Sequence, residues 1–267
     1  MSSVRTPAVA GLFYPADARQ LAHDVQTLLD AAPPRDLTPK ALIAPHAGYI
    51  YSGPIAASAY AALKPIAARI RRVVLLGPTH RVAVRGLALP DAVAFDTPLG
   101  RIMLDAAAAR SIAHLPQVSV SAQAHALEHA LEVQLPFLQS VLGNFTLLPL
   151  AVGMATPEEV AEVLDALWGG EETLIVISSD LSHYLPYATA QRVDRETVQD
   201  ILDLRQPIET DHACGGIPVS GLIVAARRHH LTPHLLDLRN SGDTAGSHDQ
   251  VVGYAALAFT GETEHGH

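Results

Sequence analysis

The chain has one cysteine, Cys214, among 267 residues, so no intramolecular disulfide is available to it. A chain of this length buries enough apolar surface to fold without such staples, and a reducing, cytoplasmic setting is expected. Aromatic residues make up 5% and charged residues 17% of the sequence, and positive charge is scarce. Eighteen Lys and Arg stand against 27 Asp and Glu, a net charge of −9 spread along the chain. That balance argues against the basic face of a nucleic-acid footprint, so no nucleic-acid partner is expected. Long apolar runs are missing too. None approaches the roughly 18 residues a membrane helix needs, and the longest, near 145–153 and 215–226, read as a buried strand or core helix. A secretory signal is not expected, because the apolar start PAVAGLFYP carries prolines and Asp17 and Arg19 follow at once.

Histidine is what the chain has in excess, fourteen residues of it. It is the commonest metal ligand and the acid/base group of neutral pH, so the positions of these residues carry the functional argument.

Unbroken runs of Val, Ile, Leu and Ala recur at Ala41–Ala44, Val73–Leu76, Thr146–Val152, Thr173–Ile177, Leu235–Leu238 and Val251–Phe259. Apolar residues without alternation predict strands buried on both faces. Helical spacing lies between them: Leu21, Val25, Leu28 and Leu29 in 18–30, and Val160, Val163, Leu164 and Leu167 in 157–168. A further stripe joins Leu131, Leu135, Leu138 and Leu142. Residues 82–98 read as a hairpin excursion, and the last residues, from about 261 to 267, as a frayed polar tail. Strands alternating with helices, without linker or repeat, predict one α/β domain over 1–267, a central mostly parallel or mixed sheet with helices on both faces.

Three runs end in residues able to bind metal or move protons. LIAP leads to His46, VVLLGPT to His80, and LIVISS to Asp180 with His183 three residues on. Ligands of open α/β sheets bind beyond the carboxyl ends of the strands, so three strands are expected to deliver these side chains to one edge. Each polar residue could instead simply cap the next turn. After the first strand, Gly48 and Gly53 permit close backbone approach, and a helix is expected to start behind Gly53. Tyr49 and Tyr51 either wall a pocket, offering phenol hydroxyls to a substrate, or are ordinary surface aromatics. Cys214, followed by two glycines and an apolar helical run, is a small core residue or, at a helix start, a thiolate ligand or nucleophile. His212 is a weaker candidate, and His229, His230 and His234 read as solvated surface.

Residues 125–132, HALEHALE, set His125, Glu128, His129 and Glu132 on one helical face. His125-x-x-Glu128-His129 matches the H-x-x-E-H pattern of inverted zinc peptidases, two ligands around a general base. The segment reads equally as a charged helix rim, or as one that points Glu128 or Glu132 into the His46/His80 pocket to orient a ligand.

In order, GLFYPAD, APHAGYIYSG, LLGPTHR, DTPLG, EHALEVQLPFLQ, SSDLSHY, Cys214-Gly215 and VVGYAA span nearly the whole chain. This succession resembles the Memo family, also known as protein B of the AmmeMemoRadiSam system. Such proteins are similar in fold to class III extradiol ring-cleaving dioxygenases of the LigB type. The resemblance implies one metal ion held by His46, His80 and Cys214, with His183 as acid/base residue and Asp180 lining the same pocket. It also implies a functional link to a radical-SAM protein and an AMMECR-like protein. Gly216 and Ile217 stand where some relatives carry Arg and His, and Arg81 where others carry a second His. The resemblance favours Fe(II), but a thiolate in place of the dioxygenase carboxylate keeps the charge while softening the site, which makes Cu and Zn more competitive. Oxygen can oxidise that thiolate, so ring cleavage is not what this ligand set predicts. Three functions follow: a mononuclear iron or copper redox protein, a non-catalytic module binding a small molecule or phosphopeptide, and a zinc hydrolase working through His125 and His129.

Overall fold

Four strands form the middle of the molecule, each apolar through its interior with polar residues only near its ends. They are β2 (Pro39–Ala44), β3 (Arg72–Pro78), β8 (Thr146–Val152) and β9 (Thr173–Ser178), in the parallel order β2-β9-β3-β8. The structure, a computed structural model, describes residues 3–261; the expected tail lies almost wholly outside them. Successive side chains alternate between two buried cores. Leu42, Ala44, Val73, Leu75, Leu174 and Val176 face one, while Ala41, Ile43, Val74, Leu76, Ile175 and Ile177 face the other. Burial on both faces is why these strands carry no polar alternation.

The remaining strands make the sheet mixed. Beside β2 runs the antiparallel β12 (Val251–Thr260), which pairs with both β11 (Thr232–Asn240) and β10 (His183–Leu185). Beyond β8 lie β4 (Leu87–Leu89), antiparallel to it, and β7 (Val118–Val120). A separate small sheet joins β1 (Val4–Arg5), β5 (Ala94–Thr97) and β6 (Gly100–Met103). Residues 82–98 are therefore not a hairpin. β4 enters the large sheet, and β5 turns back through 98–99 to pair with β6, because Leu87–Leu89 is apolar throughout and completes the edge of β8.

Helices cover both faces. The first core takes α1 (Ala18–Ala31), α2 (Tyr49–Ala61), and α6 (Leu135–Val141), which follows α4 (Ala122–Ala126) and α5 (His129–Glu132). Against the second lie α7 (Pro157–Ala166), α9 (Gly216–Arg228), α3 (Ala106–Ile112) and part of α8 (Tyr187–Leu202). Asp17 caps α1 by accepting from the Gln20 amide, and Thr156 with Glu159 forms a capping box on α7. α2 begins at Tyr49 with Gly48 as its N-cap, a turn earlier than expected. Gly53 sits inside that helix, where a Cβ would meet Leu28 Cδ1 at 2.9 Å, so glycine there lets α1 and α2 close on each other. Among the described residues no helix is long and apolar enough to cross a membrane.

Candidate metal centre

β2, β9 and β3 are neighbours, so their carboxyl ends bring His46, Asp180 and His80 to one place. A cleft of about 800 Å³ opens above them, lined by His46, His80, His129, Asp180 and His183 with Tyr51 and Arg81 among the walls. Ligand-competent nitrogens of His46, His80 and His129 all lie within 4.8 Å of one another. His46 is buried, His129 half-buried and His80 open to the cleft. The rings of His80 and His129 stack at 4.6 Å, and His46 meets each edge-on at 5.2 and 5.4 Å. This His-rich site can hold one metal ion.

The electrostatics suit that use. Burial, with His80 adding to it, pushes His46 down to about 3, and burial with His46 nearby pushes His129 down to about 4. Both imidazoles are therefore neutral near pH 7, the state in which a ring nitrogen offers a lone pair. Glu128 ties the cluster together. Its Oε1 accepts from His80 Nδ1 at 2.8 Å and its Oε2 from the His80 backbone N–H at 2.6 Å. Oε1 also caps α5 through the Ala130 amide at 3.0 Å and stands 3.4 Å from His129 Nδ1. Burial alone would raise this carboxyl; the bonds from His80 and Ala130 overcome it and hold Glu128 at about 2. A carboxylate that orients a histidine is the usual partner of a metal ligand, and it leaves the other nitrogen of His80 free.

Cys214 stands at the edge of this cluster, its Sγ 3.3 Å from His46 Nε2. It also accepts from the Asp180 amide at 3.4 Å. Burial, with the Asp180 charge behind it, pushes the thiol up to about 12, so without a cation beside it Cys214 is an S–H group. Close approach here depends on Gly215, where a Cβ would lie 2.6 Å from Ser179 Cβ and 2.8 Å from the Ser178 carbonyl oxygen. Asp180 Oδ1 accepts the His46 backbone N–H at 2.7 Å, and Oδ2 lies 3.9 Å from His46 Nε2. Burial raises the Asp180 carboxyl above its usual range. His183 and Tyr184 line the outer wall.

The structure separates the rest of the sequence candidates. Tyr51 lines the cleft, whereas Tyr49 is buried and its hydroxyl donates to the Val133 carbonyl at 2.7 Å, so it walls no pocket. Glu132 does not reach the histidines. Its carboxylate is consumed by Arg5, the amides of Ala8 and Val9, and the Tyr14 hydroxyl. Residues 125–132 are not one helix, since the chain breaks at Leu127–Glu128 between α4 and α5. His125 Nε2 is bonded to the Ala88 carbonyl at 2.7 Å, away from the cluster, so the H-x-x-E-H reading loses one of its two ligands. His129, named only through that motif, is the member of the histidine cluster that strand-end reasoning missed. His229 is not free surface either: it stacks on Trp168 at 3.7 Å and bonds Asp165 at 2.8 Å.

A direct consequence concerns His125. His125→Ala is expected to leave metal stoichiometry unchanged in elemental analysis, whereas His129→Ala lowers it. Equal loss in both variants would contradict the separation of the two side chains.

Known proteins agree with this architecture. The sequence profile of the Memo-like protein family matches residues 5–258. A MEMO1 family protein of Aquifex aeolicus is 35% identical, over 96% of this chain and 99% of its own. One from Methanopyrus kandleri is 36% identical, over 96% and 98%. Among solved structures, an uncharacterized protein of Escherichia coli K12, JW3007, superposes with a TM-score of 0.52 at 15% identity. It covers 80% of this chain and 98% of its own, a likeness of fold alone.

Proposed function

The chain belongs to the Memo-like family, and on that premise we propose that it is a mononuclear non-haem iron or copper redox protein built on His46 and His80. The observation that carries this reading is the convergence of three imidazoles at the open end of the parallel strands. Imidazole suits Fe, Cu, Zn and Ni, and it disfavours hard cations such as Mg and Ca. Two further donors flank the shared pair, His129 within the cluster and Cys214 at 3.3 Å from His46. The redox reading rests on Cys214 as the third ligand. A thiolate selects softer metals and keeps the negative charge that lets iron or copper change oxidation state.

When bound, such an ion supplies Lewis acidity and one-electron chemistry in the cleft. The chain's own groups do the rest. Asp180 fixes the His46 backbone through its amide. Glu128 fixes His80 at both its backbone and its ring. His183, on the wall, is the group proposed to take up and return protons.

The test is elemental analysis of protein purified without oxygen and without added metal, for the native chain, His80→Ala, His129→Ala and Cys214→Ser. Near-stoichiometric iron or copper is expected, lost in His80→Ala and sharply reduced in Cys214→Ser. Iron retained in full by Cys214→Ser but lost by His129→Ala would give an all-histidine site and remove the thiolate from the proposal. Neither iron nor copper in the native protein would sink the redox reading.

A further inference from the structure

His46 has two nitrogens, and only one of them faces the site. Its Nε2 lies beside Cys214 Sγ at 3.3 Å and Asp180 Oδ2 at 3.9 Å. A carboxylate on that side would ordinarily draw the imidazole proton to Nε2, leaving no lone pair there for a metal. The opposite nitrogen is 2.8 Å from Ser178 Oγ, so what this hydroxyl does decides where the proton sits.

Ser178 Oγ is fully committed. It lies 2.6 Å from the Ala130 carbonyl oxygen and 2.8 Å from Gln134 Nε2. A carbonyl only accepts, so the single serine hydrogen goes to Ala130. Gln134 presents its NH₂ rather than its oxygen to Ser178, for two reasons. Nε2 is also 2.9 Å from the Pro45 carbonyl, which again only accepts. On its other side, Oε1 takes the Tyr60 hydroxyl at 2.7 Å. Both amide hydrogens are thereby used, one on Pro45 and one on Ser178. All that Ser178 can offer His46 is a lone pair, and Nδ1 must then carry the proton. His46, Ser178, Gln134 and Tyr60 are all buried, so water does not compete for these bonds.

We propose that Gln134, acting through Ser178 and braced by Tyr60, is a positioning residue that locks His46 as the Nδ1–H tautomer and so keeps its Nε2 lone pair aimed into the metal site. The lock rests on His46 being a ligand for its purpose, though not for its existence. Its counterpart on His80 is charged, a carboxylate on Nδ1, whereas this one is neutral and ends on two main-chain carbonyls. Each ligand is thereby oriented by a different chemistry, a point the three-histidine geometry alone does not disclose.

The tautomer can be read directly from long-range proton–nitrogen correlation spectra of metal-free, full-length protein labelled at histidine nitrogen, with His46 assigned by loss of its signals in His46→Gln. In the native protein, Nδ1 is expected at a pyrrole-like shift and Nε2 at a pyridine-like shift. In Ser178→Ala the pattern reverses, with the proton on Nε2 facing Asp180, and Zn(II) affinity by chelator competition falls about 10–100-fold. Gln134→Met, which fills similar space without hydrogen bonds, is expected to give a mixture of tautomers and a smaller loss. A native protein already protonated at Nε2 overturns the proposal without reference to any variant. So does Ser178→Ala that changes tautomer yet binds Zn(II) within threefold of native. Failure of the metal reading looks different: the Nδ1–H tautomer is present, the lock stands, and the native protein holds no iron or copper.

Discussion

Glu132→Ala is expected to destabilise the protein by about 3–5 kcal/mol, the cost of stranding a buried charge. Glu132 is fully buried, and its partner Arg5 is 7% exposed at the side chain, with Nη1 and Oε2 2.7 Å apart. Oε2 also takes the Ala8 amide at 2.8 Å, while Oε1 takes the Val9 amide at 3.0 Å and the Tyr14 hydroxyl at 2.6 Å. Truncation leaves the guanidinium with only neutral acceptors and orphans two amides and a phenol, each of which costs free energy when buried. A native stability of roughly 5–15 kcal/mol makes this a large fraction of the total. Urea denaturation would measure it. Arg5→Met combined with Glu132→Met should recover part of the loss, because no lone charge remains, yet not all, because Ala8, Val9 and Tyr14 still lack their acceptor. A cost under about 1 kcal/mol for the single variant would show that the site relaxes or admits water.

This ion pair also explains why the histidine pattern misled. Periodicity alone puts His125 and His129 on one helical face. In a continuous helix the His125 carbonyl would accept the His129 amide. Here it accepts Arg5 Nε at 2.6 Å, and the Glu128 carbonyl accepts Arg5 Nη2 at 2.8 Å. A residue 120 positions upstream thus takes over backbone acceptors and turns the chain, which leaves Glu128 as the N-cap of α5 and aims His129 at the cluster. Nothing local in HALEHALE announces that contact. Tyr49 was ambiguous for a related reason: whether its hydroxyl meets substrate or the Val133 carbonyl depends on how α2 packs against residues far along the chain.

The central strands were legible because burial on both faces keeps polar residues to their ends, and Thr146–Val152 has the limits the sequence suggests. β11 was legible only in part. Its run Leu235–Leu238 is visible, but the strand extends over Thr232–Asn240 with half-buried Asp237 and Arg239 paired to each other. At a sheet edge such polar residues are tolerated, and they erase the apolar signature. The delivery of His46, His80 and Asp180 to one edge followed from parallel strand direction alone, which is a topological property. The convergence of His129 and Glu128 on the same edge follows from a broken helix, a tertiary one.

Glu128→Gln tests that tertiary contribution most sharply, and a loss of about 10–100-fold in metal affinity is expected from it. The substitution conserves size, so the cleft keeps its shape. What it alters is sign. The hydrogen bonds Glu128 makes all come from donors: the His80 amide, His80 Nδ1 and the Ala130 amide. A glutamine must turn its NH₂ toward at least one of them. If the NH₂ replaces Oε2 it opposes the His80 amide; if it replaces Oε1 it opposes His80 Nδ1 and uncaps α5. In the second case His80 Nδ1 can only accept from that NH₂, so its proton moves to Nε2 and the lone pair that a metal needs is lost. Zn(II) or Co(II) affinity by chelator competition would measure the effect, with thermal unfolding of the metal-free protein alongside to separate it from a stability loss. Affinity within threefold of native would mean that His80 needs no carboxylate to act as a ligand. The centre would then depend on the convergence of the strands rather than on the segment that carries Glu128.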